Sequence, residues 1–289
     1  MSAHLEIVPP TQFHHAGKLA SRHDTGDPRL ASFAYDTVDV DLRKCEFLRP
    51  PAMLWCVVFL ALAARRGTRC RLLVPENMGV AVHLKSTGVF EKLRERGVEV
   101  DDRGVRVTPD PKAVLPLTHF QSLEDVQRLA NQAHDRLRSA GFGSVNLSTV
   151  VSELFSELAN NASEHSESPI GAFGCIQFVE AAAGSRFTCV VADGGIGIRG
   201  GLCKSPELRR RVLYDWDAVE LATRERVTGT SDPHRGIGLF AVAEDARQLA
   251  GSFLLHSGIG LLEIREDRAT RARRTRLFPG TLAYLSVPS

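Results

Sequence analysis

The chain has 289 residues, with 36 Lys and Arg against 34 Asp and Glu, and 43% of its residues are hydrophobic. That hydrophobic content, with a net charge of only +2, excludes a disordered chain. The same balance offers no basic excess for neutralising phosphates, so nucleic acid is not an expected partner.

Residues 1–28 carry scattered His, Pro, Gly and Asp and read as a strand over 5–8 followed by an arm. Over 29–110 strands and helices alternate. A strand within 32–42 precedes a long apolar helix over 52–65, and a buried strand over 71–74 ends at Pro75. A helix over 79–96, stopped by Gly97, leads to a strand within 98–107. Such alternation implies a small parallel or mixed sheet. Thr108-Pro109-Asp110-Pro111 marks a boundary, because two prolines stop both a helix and a central strand.

Beyond it, over 111–289, the order changes. A strand over 115–120 precedes a helix that opens at Ser122 with Glu124 and Asp125 and closes at Gly141. A second helix spans 146–165, and an apolar-periodic helix spans 239–250. Strands are expected over 174–180, 186–192, 251–257, 260–265 and 281–287, the last two flanking an Arg-rich connection. Two helices followed by strands and Gly-rich turns describe an α/β (α+β) sandwich rather than a doubly wound sheet.

The six cysteines (Cys45, Cys56, Cys70, Cys175, Cys189 and Cys203) form no CxxC pair, and most lie in apolar runs. Buried, reduced thiols of a cytoplasmic protein are therefore expected. No basic segment followed by an apolar core opens the chain, so no signal peptide is expected. The longest apolar run, 50–64, is shorter than the roughly 20 residues a membrane helix needs.

Four segments carry chemistry. On the helix over 146–165, Val150, Leu154, Leu158 and Ala162 mark a buried face, and Glu153, Glu157, Asn161 and His165 form a parallel polar stripe. An Asn oxygen can ligate a hard divalent cation that keeps its waters, and a carboxylate one turn away can act as a general base. A solvated helix face has the same pattern. In Val190-Val191-Ala192-Asp193-Gly194-Gly195-Ile196-Gly197, an apolar strand runs into an acceptor-only carboxylate, and glycines then permit close backbone approach. The letters from Gly195 to Gly200 match GxGxxG, yet no helix and no βαβ unit is expected around them. Arg235-Gly236-Ile237-Gly238-Leu239 precedes a helix, whose free backbone N–H groups suit phosphate oxygens. Finally, Pro279-Gly280-Thr281 opens the terminal strand.

In this order the four segments resemble the GHKL (Bergerat-fold) ATPases, the superfamily of gyrase, the Hsp-type chaperones, histidine kinases and mismatch-repair proteins. Most similar are the anti-sigma-factor serine kinases, whose motif reads like Ser156-Glu157, Asn161-Ala162 and His165. The resemblance covers residue 115 to the C-terminus. It implies a sandwich with helices on one face of a mixed sheet, with ATP and magnesium as cofactors. Glu157 would be the catalytic base and Asn161 the metal ligand, with His165 beside it. Asp193, Gly195 and Gly197 would meet adenine, near Thr281, while Arg235, Gly236, Gly238 and Leu239 would border the triphosphate. Residues 199–235 would form a lid that moves as nucleotide binds.

Residues 29–110 resemble a STAS (anti-anti-sigma-like) domain, though Leu48-Arg49-Pro50-Pro51-Ala52 stands where such regulators carry a phosphorylatable Ser or Thr. That departure implies a docking or scaffolding role. The resemblances together imply a protein partner, such as a STAS or sigma-factor-like regulator, and a homodimer. A nucleotide-gated interaction switch and a silent adaptor stay open, although an adaptor has no need of Glu157. His134, the one helical His that a histidine kinase could use, lies too close to the 146–165 helix to form a separate hairpin. The Arg-rich connection fits an acidic partner or a solvated loop.

Overall fold

The computed structural model describes residues 3–19, 35–102, 104–106, 114–139, 145–180, 184–224, 238–265, 268–269 and 271–289. The chain divides into two compact units, Met1–Asp110 and Pro111–Ser289. The proline-bearing stretch around that division lies outside the described residues.

In the first unit β1 (His4–Ile7), β3 (Thr37–Asp41), β5 (Arg69–Leu73) and β6 (Glu99–Asp101) form a sheet in the order β1-β3-β5-β6. All three pairings are parallel. Residues 1–28, set apart above, thus contribute an edge strand to the same sheet. A second, two-stranded pairing joins β2 (Gln12–Phe13) to β4 (Phe47–Leu48). Consecutive parallel neighbours linked by crossovers of the usual right hand carry their connecting helices on one face. Those helices are α1 (Pro50–Arg65), α2 (Met78–Ser86) and α3 (Val89–Arg94).

Strand alternation then sorts the side chains. Val38, Val40, Cys70, Leu72 and Val100 are buried, and the alternate positions hold His4, Thr37, Asp39, Arg69, Arg71 and Glu99. Proline starts α1, where its missing N–H is no loss, and residues 51–63 of that helix are all buried. The single helix expected over 79–96 is two. Thr87 turns its hydroxyl back to the His83 carbonyl (2.8 Å), and Gly88 takes φ 85°, a left-handed conformation that breaks the helix. The strand expected within 98–107 is confined to β6.

The second unit contains β7 (Leu115–Phe120), α4 (Leu123–Ser139), α5 (Val145–His165), β8 (Ala172–Val179) and β9 (Arg186–Asp193). There follow α6 (Gly197–Leu202), α7 (Pro206–Arg209), α8 (Asp215–Ala222), α9 (Gly238–Gln248), β10 (Ser252–Arg265), β11 (Arg268–Ala269) and β12 (Arg273–Pro288). The sheet runs β11-β10-β12-β9-β8-β7. Every described pairing is antiparallel, which corrects the expected mixed sheet. The reason lies in the connections. Two successive helices, α4 and α5, return the chain to the end of the sheet it left, so β8 must run against β7.

Ser122 caps α4 by accepting from the Asp125 N–H (3.1 Å), and Asp125 accepts in turn from Gln121 N–H (3.2 Å). Leu129, Phe155, Leu158, Val219 and Val242 on the helices pack with Ile176, Cys189, Val191, Leu255 and Leu285 from one face of the sheet. The two strands expected over 251–257 and 260–265 are one, β10, with register shifts at Ser257/Gly258 and Gly258/Gly260. Much of the expected Arg-rich connection is the beginning of β12.

Cys45, Cys56, Cys70, Cys175 and Cys189 are buried, Cys203 is half-buried, and all six are free. Burial pushes the Cys70 and Cys175 thiols up to about 12. Among the described residues no helix is long and apolar enough to cross a membrane.

Candidate functional site

Helix α5 places the first group of residues. Val151, Leu154, Leu158 and Ala162 are buried, whereas Glu153 is exposed and Glu157, Asn161 and His165 are half-buried. The stripe therefore passes from solvent into a sheltered position along its length. The Asn161 amide nitrogen donates to the Glu157 carbonyl (2.8 Å) and reaches its carboxylate Oε1 (3.3 Å). With the nitrogen so engaged, the amide oxygen is the atom turned away from Glu157. Gly238 begins α9 against this pair, so close that a Cβ there would collide with the Glu157 carboxylate. His165 ends the helix and lies 3.8 Å from Glu164.

The second group surrounds Asp193 at the end of β9, in register with Ala172 on one side and Thr281 on the other. Asp193 is 3% exposed. Its carboxylate accepts from the Gly195 N–H (2.8 Å) and from the Thr281 backbone N–H. Burial raises its pKa to about 7, against the opposing pull of those two donors. Gly195 cannot carry a Cβ, which would overlap the Ser166 carbonyl, and Gly197 needs its left-handed φ of 71°.

The loop that leaves α5 joins the two groups. The Ser166 carbonyl accepts from Ile196 N–H (2.8 Å). Ser168 Oγ donates to the Gly171 carbonyl (2.6 Å) and accepts from Gly194 N–H (3.1 Å). Across the sheet, Ser257 Oγ accepts from Ile198 N–H (2.8 Å) and donates to the Gly280 carbonyl (3.0 Å). None of these serines was singled out from the sequence. The only local signal was a Ser-x-Ser pair just past a helix end, a common turn former.

Thus Glu157 and Asn161 meet Gly238, Asp193 meets Gly195 and Thr281, and Gly197 lies against Ser257 and Gly280. Leu239 packs its side chain against the hydrophobic core, which leaves its backbone as the part able to face a ligand. Arg235 and Gly236 lie outside the described residues. A short helix, α6, does follow Gly195–Gly197, contrary to expectation; the antiparallel sheet still provides no βαβ unit. Neither the protein-family models nor the curated proteins contain a match to this chain.

Around Asp193 and Glu157 the chain is packed too closely for a side chain at Gly195 or Gly238, where a Cβ would overlap the Ser166 carbonyl or the Glu157 carboxylate. For a cation, no described group of three or more His, Cys, Asp or Glu could serve alone. One amide oxygen, that of Asn161, suits magnesium only together with waters and phosphate oxygens.

Proposed function

We propose that residues 111–289 form a GHKL (Bergerat-type) ATP-binding domain acting with magnesium, and that the protein transfers the terminal phosphate of ATP to a partner protein or hydrolyses it. The observation that carries this reading is Asp193. Among the described residues it is a buried carboxylate held by backbone N–H groups and by no cation. Such a group is suited to accept a hydrogen bond from the exocyclic amine of adenine.

Gly195, Gly197 and Thr281 would form the rim around that base. The first turn of α9, at Gly238 and Leu239, would offer backbone N–H groups and the positive end of a helix dipole to phosphate oxygens. Arg235 and Gly236 belong to this part by their place in the sequence. Asn161 would hold magnesium through its amide oxygen. Bound magnesium ATP supplies an electrophilic terminal phosphorus whose charge the metal partly neutralises. Glu157 would accept the proton of an attacking water or seryl hydroxyl, its carboxylate steadied by the Asn161 amide. His165, two turns beyond Glu157, would flank the same face.

Incubation with γ-labelled ATP and candidate STAS or sigma-factor-like partners tests this reading. Label on protein defines a kinase, and label in free phosphate an ATPase. Glu157→Ala should lower both by about 100-fold or more while ATP binding persists. Unchanged turnover in that variant would overturn the assignment of the base.

A nucleotide-gated interaction switch is a second reading, favoured by the segment between β9 and α9. Leu202, Leu208, Val212, Ala218 and Leu221 give α6–α8 a small core of their own. Beside it Leu213 and Tyr214 are exposed, and Tyr214 stacks on Trp216 at 4.5 Å. Val219 of α8 also packs into the main core and Asp215 accepts from the Ile259 N–H (2.9 Å), so α8 would anchor this segment while its apolar surface is presented to a partner. The first unit, read as STAS-like and without a phosphorylatable residue at the start of α1, would then serve docking. Self-association and residence in the cytoplasm belong to the same proposal.

A further inference from the structure

Ser257 is 2% exposed, and its hydroxyl uses every bond it can make. A serine hydroxyl has one proton and two acceptor positions. The proton goes to the Gly280 carbonyl (3.0 Å), and one acceptor position goes to the Ile198 N–H (2.8 Å). Thr281 Oγ1 stands 3.2 Å away, so the Thr281 hydroxyl is the donor across that pair.

These partners flank Asp193. Ile198 is the second residue of α6, just past the turn that begins at Gly195, whose N–H binds the Asp193 carboxylate. Gly280 precedes Thr281, whose N–H reaches the same carboxylate. Ile198 packs against the hydrophobic core, and beyond it the two segments meet through closely approaching backbone. At Gly280, where φ is 129°, a Cβ would collide with the Asp193 carbonyl, and at Gly197 it would lie 2.9 Å from Ser257 Oγ. The β12–β9 ladder pairs Thr281 with Asp193, whereas the β10–β12 register shifts immediately after the Ser257–Thr281 pair, so toward β10 it is the Ser257 hydroxyl that spans the irregularity. One buried hydroxyl therefore ties together two glycine-bearing segments whose N–H groups orient Asp193.

We propose that Ser257 is a positioning residue for base recognition: by fixing the Gly195 and Thr281 N–H donors around Asp193, it sets the preference for a purine carrying an exocyclic amine over one carrying an oxo group. This rests on the reading of Asp193 as the group that meets the base. An alanine at position 257 would leave the buried Ile198 N–H and Gly280 carbonyl without partners and let the carboxylate turn. The triphosphate end, at α9 and Asn161, has no bond to Ser257 and should not respond.

The test compares magnesium complexes of ATP and inosine triphosphate, by titration calorimetry, on the full chain and its Ser257→Ala and Ser257→Cys variants. Inorganic tripolyphosphate serves as the control for the phosphate end. The unaltered protein should favour ATP by at least about 10-fold, the worth of one well-placed hydrogen bond. In both variants that ratio should fall to about 3-fold or less, with tripolyphosphate affinity unchanged. Ser257→Cys is nearly isosteric and carries the test should Ser257→Ala fail to fold. A folded variant that keeps the full ratio, or that loses tripolyphosphate affinity in parallel, overturns the role of Ser257. If the unaltered chain binds neither nucleotide, or both equally, the reading of Asp193 fails first and this assignment falls with it.

Discussion

Among the described residues each unit buries one strand-borne aspartate, and the two are satisfied differently. Asp39, in the parallel sheet, meets Arg71 through two bonds of 3.2 and 2.6 Å and has His4 at 3.6 Å. Asp193, in the antiparallel sheet, is held by the backbone N–H groups of Gly195 and Thr281. A carboxylate matched by a guanidinium is a closed unit whose role is to hold strands in place. One matched only by amides keeps an uncompensated charge, which burial has made reluctant to form, and with it a capacity to take another donor.

The glycines repeat the contrast. At Gly67 and Gly97 of the first unit a Cβ would meet nothing within 4 Å; positive φ alone accounts for them. At Gly195, Gly238, Gly260 and Gly280 of the second, a Cβ would collide with backbone or with the Glu157 carboxylate. The two glycines of the first unit serve turns, and these four of the second serve close approach of other parts of the chain.

Four substitutions probe this contrast between the two units. Gly195→Ala forces either the 194–198 turn or the end of α5 to move, since the obstacle is the Ser166 carbonyl. A loss of about 3 kcal/mol or more in denaturant unfolding is expected, together with loss of ATP binding. Asp193→Asn removes a group whose proton affinity differs between folded and unfolded chain. Its pKa is about 7 when folded against the ordinary carboxylate value of about 4, so the folded state binds the proton more tightly. The resulting stability is complete below about pH 4 and is lost as pH rises through about 7. The variant should therefore gain on the unaltered protein by up to a few kcal/mol between pH 4 and 8, as read from thermal midpoints.

Arg71→Met leaves Asp39 buried beside only His4. Because the arginine side chain is itself 43% exposed, the expected loss is about 2 kcal/mol rather than the full cost of breaking a buried pair. Gly97→Ala, at φ 78° with open space around it, should cost about 1 kcal/mol and leave ATP binding untouched. If Gly97→Ala and Gly195→Ala proved equally damaging, the distinction between turn glycines and approach glycines would fail.

How much of this was readable from residues alone depended on range. The buried face of α5 was visible because Leu154, Leu158 and Ala162 recur at helical spacing. The strand running into Asp193 was visible because Val190, Val191 and Ala192 end at an acid and then glycine. The break at Gly88 was hidden inside a stretch that is helical on both sides. Strand β12 began unseen because arginines at 273, 274 and 276 mask any alternation. The sheet direction and the serine contacts escaped for a deeper reason. Ser168 reaches Gly194 across 26 residues and Ser257 reaches Ile198 across 59, contacts that only the assembled topology creates. The packing of Gly238 against Glu157 is likewise a contact that only the fold creates.

The central claim, that Asp193 is the base-recognising end of an ATP site, is tested most directly by titrating magnesium ATP into the full chain and into Asp193→Asn from pH 6 to 8. Binding should tighten as pH rises through about 7, with proton release, since the ionised carboxylate is the better acceptor. Affinity in the variant should be at least about 10-fold weaker and independent of Asp193 titration. Equal affinity in the two proteins across that range would contradict the central claim.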